Sequence, residues 1–83
     1  MTISNEIIKG ELMIKVYGNH SLLIENHKGI HEYTNERIIV TSKLYQIHIH
    51  GQQLHIQLFS GVDMKIEGII NSIEYHLGDL YAA

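Results

Sequence analysis

Between Leu44 and Phe59 the chain alternates with a period of two. Tyr45, Ile47 and Ile49 alternate with Gln46, His48 and His50. After Gly51-Gln52, Leu54, Ile56 and Leu58 alternate with Gln53, His55 and Gln57. Successive side chains of a strand point to opposite faces, so this run fits a half-buried sheet and not a helix. Gly51 at the first central position of a type II′ turn would close the run as a hairpin. The register then sets His50 opposite Gln53, Ile49 opposite Leu54, His48 opposite His55 and Ile47 opposite Ile56. One face is apolar and the other polar.

The rest of the chain follows the same rule. Ile, Val and Thr make up 21 of its 83 residues, and the only alanines are Ala82 and Ala83. β-Branched side chains lose freedom on a helix and pack well on a pleated surface, and the best helix former is missing from the body of the chain. There is no proline, so turns fall to glycine and asparagine. Leu12, Ile14 and Val16 mark a strand ended by Gly18-Asn19. Leu22 and Ile24 mark a second. Asn26-His27-Lys28-Gly29 is a loop closed by a left-handed residue, for which Gly29 is suited. Strands follow over Ile30–Tyr33 and Arg37–Thr41, separated by the Thr34-Asn35-Glu36 turn. A last strand starts at Val62, and its apolar phase slips after Ile70, which calls for a bulge near Asn71-Ser72. Residues 1–9 read as a loose or edge segment, and 77–83 as a helical turn or a disordered tail. An apolar-x-Gly element recurs at Val16–Gly18, Ile49–Gly51 and Ile66–Gly68, without the regular spacing of a solenoid. The pattern predicts an all-β fold: one domain over 1–83 with its body at 10–76, a small antiparallel β-sandwich or half-barrel of seven to eight short strands.

Several function classes find no support. No run approaches the ~18 apolar residues of a membrane span, and no signal peptide precedes the body. There is no Cys, hence no disulfide or thiolate site, and the expected location is intracellular. Six Lys and Arg against nine Asp and Glu give a net charge of −3, which leaves no electrostatic footprint for nucleic acid or an anionic membrane. No glycine-rich loop leads into a helix to cradle phosphate.

Seven histidines are the feature that could carry chemistry. In the hairpin register His48 and His55 face each other, with His50 one step along. Imidazoles placed so are weak candidates for a shared metal ion, because a stable site needs three or four ligands and the neighbours are Gln46, Gln53 and Gln57. His27 and His31 flank the Gly29 turn beside Glu25 and Glu32, with no Ser or Thr nucleophile placed next to them. Glu6, Glu11, Glu67 and Glu74 form no facing pair. The residues point to no catalytic group and no cofactor. They leave two readings: interaction through a surface or an open sheet edge, which no proline blunts and which could pair with a second copy, or a small metal- or ligand-binding β domain using the His-rich face.

The stretch Leu22-Leu23-Ile24-Glu25-Asn26-His27-Lys28-Gly29-Ile30, with Tyr33 after it, resembles the central motif of the YabP/YqfC sporulation-protein family, on its YqfC-like branch. Ile47-x-Ile49-x-Gly51-x-x-Leu54-x-Ile56 and Ile66-x-Gly68-x-Ile70-x-x-Ile73-x-Tyr75 fit the same family. The resemblance covers residues 10–76, and its motif residues are Glu25, Asn26, His27, Gly29, Gly51 and Gly68. It implies a compact all-β protein without enzymatic activity or cofactor. It also implies a role in endospore formation, in the mother-cell cytoplasm, with a membrane protein as partner and no direct membrane insertion of its own. The His-rich face is not part of the family pattern.

Overall fold

A computed structural model describes residues 11–77. These form six strands: β1 (Met13–Tyr17), β2 (Ser21–Glu25), β3 (Gly29–Tyr33), β4 (Arg37–Thr41), β5 (Tyr45–Phe59) and β6 (Asp63–Leu77). They make one antiparallel sheet in the order β1-β2-β6-β5-β4-β3. The all-β class is as expected, and there is no helix among the described residues. The strand count differs from the expected seven or eight because β5 and β6 are each a continuous run of 15 residues. The expected loose ends at 1–9 and 78–83 lie outside the described residues, while Leu77 ends β6.

The expected hairpin over 44–59 does not form. Gly51-Gln52 is no hairpin turn, and the same strand continues through it to Phe59. The β5–β6 connection at 60–62 makes the hairpin instead. Ile47 therefore pairs Tyr75, His48 pairs Glu74, Ile49 pairs Ile73 and His55 pairs Glu67. The reason lies in the phase of the pattern. Ile47 and Ile49 are buried at odd positions and Leu54 at an even one. A two-residue turn produces that switch, and so does an extra residue in one strand. The β5–β6 register shifts between Gln52 and His55, where Gln53 takes φ 54°. The inserted residue is a bulge. The expected bulge in β6 is present: His50 pairs Ser72 while Gly51 pairs Ile70, which leaves Asn71 as the extra residue.

These bulges fold the long β5–β6 ribbon back on itself. Fifteen residues in a straight strand span about 50 Å. Yet two consecutive residues tie the ribbon's opposite ends together. The His27 N–H donates to the Val62 carbonyl at the tip, at 3.1 Å, and the Lys28 N–H donates to the Thr41 carbonyl beside the base, at 2.8 Å. The corner is at Gly51 and Gly68. A Cβ on Gly51 would collide with the Ile69 carbonyl oxygen, and one on Gly68 would sit 2.6 Å from the Gln53 carbonyl oxygen, with φ +143° there as well. Only glycine lets the two backbones approach so closely. Two turns close over this corner in parallel fashion. Asn35 and Glu36 accept from the Leu54 and Gly51 N–H groups, and Asn19 and His20 accept from those of Ile70 and Gly68. The apolar-x-Gly elements at 49–51 and 66–68 are thus one device used twice.

The two arms enclose a single core. Leu22, Ile24, Ile38, Val40, Ile47, Ile49, Met64 and Ile66 are fully buried in it. Every one of them lies on the face that the alternation assigns inward.

Candidate functional site

Three groups of polar residues stand out, and the fold positions each differently.

The first is the loop between β2 and β3, which carries the Glu-Asn-His-Lys-Gly motif. Asn26, and not Gly29, is its left-handed residue, with φ 68°; Gly29 takes φ 152°. Asparagine tolerates the left-handed region because its short amide bonds locally. Here the Asn26 amide donates to the Glu11 carbonyl at 3.0 Å. Glu11 also accepts from the Tyr45 hydroxyl, at 3.1 Å. Burial and that neighbouring carboxylate raise the Tyr45 pKa above its ordinary 10.0, so the hydroxyl stays a donor. Glu25 is held by Lys15 at 3.6 Å.

His27 is not the exposed loop-tip residue that its sequence context suggests. It is 3% exposed, and among the described residues neither Nδ1 nor Nε2 has a hydrogen-bond partner. Its ring stacks on Phe59, with centroids 5.3 Å apart and planes at 29°. Buried polar groups are rarely left so, and each one calls for an explanation. His31, which sequence placed beside it, is exposed at the β3 bulge.

The second group is on the outer face of β5 and β6. Here the correction to the hairpin changes the histidine set. His48 stacks on His76 with centroids 3.8 Å apart, and its ring lies 6.3 Å from that of His50. Glu74 accepts from His76 at 3.0 Å and lies 3.5 Å from His50. His55 is elsewhere, 3.7 Å from Glu67, so His48, His50 and His55 are not brought together. Sequence reasoning missed His76, because only the β5–β6 pairing places residue 76 against residue 48. Among the described residues no set of three His, Asp or Glu side chains is arranged to hold a metal ion.

This face is expected to respond to acid. Burial, then the charges that His76 and His50 would carry, and that of Arg37 on β4, hold the His48 pKa below its ordinary 6.5, and only Glu74 opposes them. The hydrogen bond from His76 is the largest cause holding Glu74 below 4.5. A histidine depressed in the folded state binds its proton more readily unfolded, so its contribution is complete above 6.5 and lost as pH falls below it. Glu74 adds a loss of the same sign below 4.5. The melting temperature is therefore expected to fall between about pH 7.5 and pH 5.5, and His48→Gln should flatten that limb. An equal fall in the variant would contradict this assignment.

The third group is a shallow cleft lined by Glu32, Thr34, Glu36, Arg37 and His50. Its cation is engaged: the Arg37 guanidinium forks onto Glu32, with Nε–Oε2 at 2.9 Å and Nη2–Oε1 at 3.0 Å. Gly51 and Gly68, the remaining motif residues, form the corner described above.

The motif residues thus lie in the first of these groups, Glu25 to Gly29, and in the corner. A family model described as the YabP family matches residues 7–80. No curated protein and no solved structure matches the chain.

Proposed function

Because this chain belongs to the YabP family, we propose that it is a non-enzymatic sporulation protein, of the YqfC-like branch. It is a small interaction module needed for endospore formation. It acts in the mother-cell cytoplasm, with a membrane protein as its partner. The observation that carries the reading is the span of the family match, residues 7–80, which takes in every motif residue from Glu25 to Gly68. Membership in that family suggests a sporulation-related protein.

Two physical features support a role in contact. One is the pair of sheet edges, β1 and β3, that no other strand covers among the described residues. β3 carries a register shift between Ile30 and Glu32, which blunts it as a template, whereas β1 pairs β2 in unbroken register from Met13 to Tyr17. Self-association, if it accompanies the membrane contact, belongs to the β1 edge. The other is the 26–29 loop, where the family motif coincides with His27, buried and without a hydrogen-bond partner among the described residues. The experiment is a pull-down from sporulating cells, with the tagged chain as bait and the solubilised membrane fraction as prey. The expected result is one membrane protein in stoichiometric yield. A blank repeated in gentle detergent would count against a stable membrane complex.

A further inference from the structure

The bent ribbon gathers three loops at one end of the molecule, and their order is fixed by hydrogen bonds. Residues 26–28 lie in the middle, joined to 60–62 through Val62 and to the start of 42–44 through Thr41. The three read Asn-His-Lys, Ser-Lys-Leu and Ser-Gly-Val. Phe59, which precedes the third, is 55% exposed, Val62 52% and Leu44 44%. Lys28 and Lys43 are both exposed. These loops contain two lysines and no carboxylate. Of the acids that flank them, Glu25 is bridged by Lys15 and Glu11 accepts from Tyr45, while Asp63 is half-buried. The loops over the corner are unlike them. They read Gly-Asn-His and Thr-Asn-Glu, with no aliphatic side chain and no lysine.

We propose that this loop end rests on an anionic lipid surface, with Phe59, Val62 and Leu44 at the level of the headgroups and Lys28 and Lys43 beside them. Apolar tips ringed by cations suit a bilayer interface, where rings and aliphatic groups sit among headgroups and lysines meet lipid phosphate. The net charge of −3 conceals this, because among the described residues no acid falls within these three loops. The contact is shallow, and no helix of the described residues is long and apolar enough to cross a membrane. The stack of Phe59 on His27 fixes the angle at which the tip is presented. The inference stands apart from the sporulation reading, since purified protein and lipid test it alone.

The test is co-sedimentation of the full chain with vesicles of phosphatidylcholine containing about 30% phosphatidylglycerol, and with phosphatidylcholine alone. Binding is expected to the anionic vesicles and to weaken with salt. Each surface lysine contributes about fivefold, so Lys28→Gln with Lys43→Gln should weaken binding about thirtyfold. Phe59→Ser with Val62→Ser should abolish it, with circular dichroism confirming that the variant is folded. The chain contains no Trp, so Val62→Trp provides a second reading that does not depend on those variants. Its emission should shift to the blue on adding anionic vesicles. The proposal is overturned if neither vesicle carries the chain down, which would assign the loop end to a protein partner. It is equally overturned by binding that both double variants retain, by equal binding to neutral vesicles, or by unshifted Val62→Trp emission in the bound chain.

Discussion

Gly51→Ala is expected to abolish cooperative folding. The added methyl would meet the Ile69 carbonyl oxygen. That atom is backbone, in a strand paired on both sides of the corner, so no rotamer change can relieve the contact. Parting β5 from β6 at this point would break the bends that close the two arms over one core. It would also move the Gly51 and Leu54 N–H groups from the Glu36 and Asn35 carbonyls. A cost of about 4 kcal/mol or more belongs to this kind of backbone collision. Native stabilities are only about 5–15 kcal/mol, and a domain of this size lies toward the lower end. Gly61→Ala is the control. A Cβ there meets nothing within 4 Å, so its effect should stay within about 0.5 kcal/mol. Urea unfolding followed by circular dichroism checks both. A Gly51→Ala chain that unfolds within about 1 kcal/mol of the native one would mean that the strands do not pass so closely.

His27→Leu is expected to act in the opposite direction and raise stability. The imidazole is buried with both nitrogens unpartnered among the described residues. Burying a polar group without a hydrogen bond costs about 1–3 kcal/mol by mutational measures. Leucine is of similar size and keeps apolar contact with Phe59. For a domain of this length a gain of about 1 kcal/mol raises the melting temperature by about 4–8 °C. The same variant separates folding from contact. Because the ring is buried, the stabilised chain should keep membrane-protein capture in the pull-down. A fall in melting temperature would show instead that the ring has a partner in the folded protein.

Much of this architecture was legible in the sequence, and the failures have one physical cause. β1 to β4 follow from local alternation and from turn residues at 18–19 and 34–36. Leu22, Ile24, Ile38 and Val40 are buried as their period requires. The slip of phase after Ile70 was read as a bulge, and Asn71 is one. The slip across Gly51-Gln52 is the same signal, yet it reads equally well as a two-residue turn. Only the pairing of β5 with a strand near the C-terminal end decides between them, and alternation carries no information on that. Gln53 gives no local warning, since glutamine is not a residue that marks a positive φ. The site was affected in turn. His48 facing His55 was a consequence of the turn, and His76 became visible only once β6 lay beside β5. Nothing local marks His27 for burial, since polar loop residues are usually exposed. Its burial comes from the ribbon tip folding over it, through Phe59 and Val62.

The gathering of Leu44, Phe59 and Val62 at one end has the same origin. Leu44 is far in sequence from Phe59 and Val62, and the three belong to no common motif. The bend at Gly51 and Gly68 makes them neighbours of the 26–29 loop. The corner and the 26–29 loop thus act together: Gly51 and Gly68 fold the ribbon, and the loop holds its two ends together.

The reading as a sporulation protein is tested most directly by deleting the coding sequence and counting heat-resistant spores. Vegetative growth is expected to be unchanged and heat-resistant spores to fall by at least about tenfold, with the native sequence restoring them and Gly51→Ala failing to do so. An unchanged spore count in the deletion strain would contradict it.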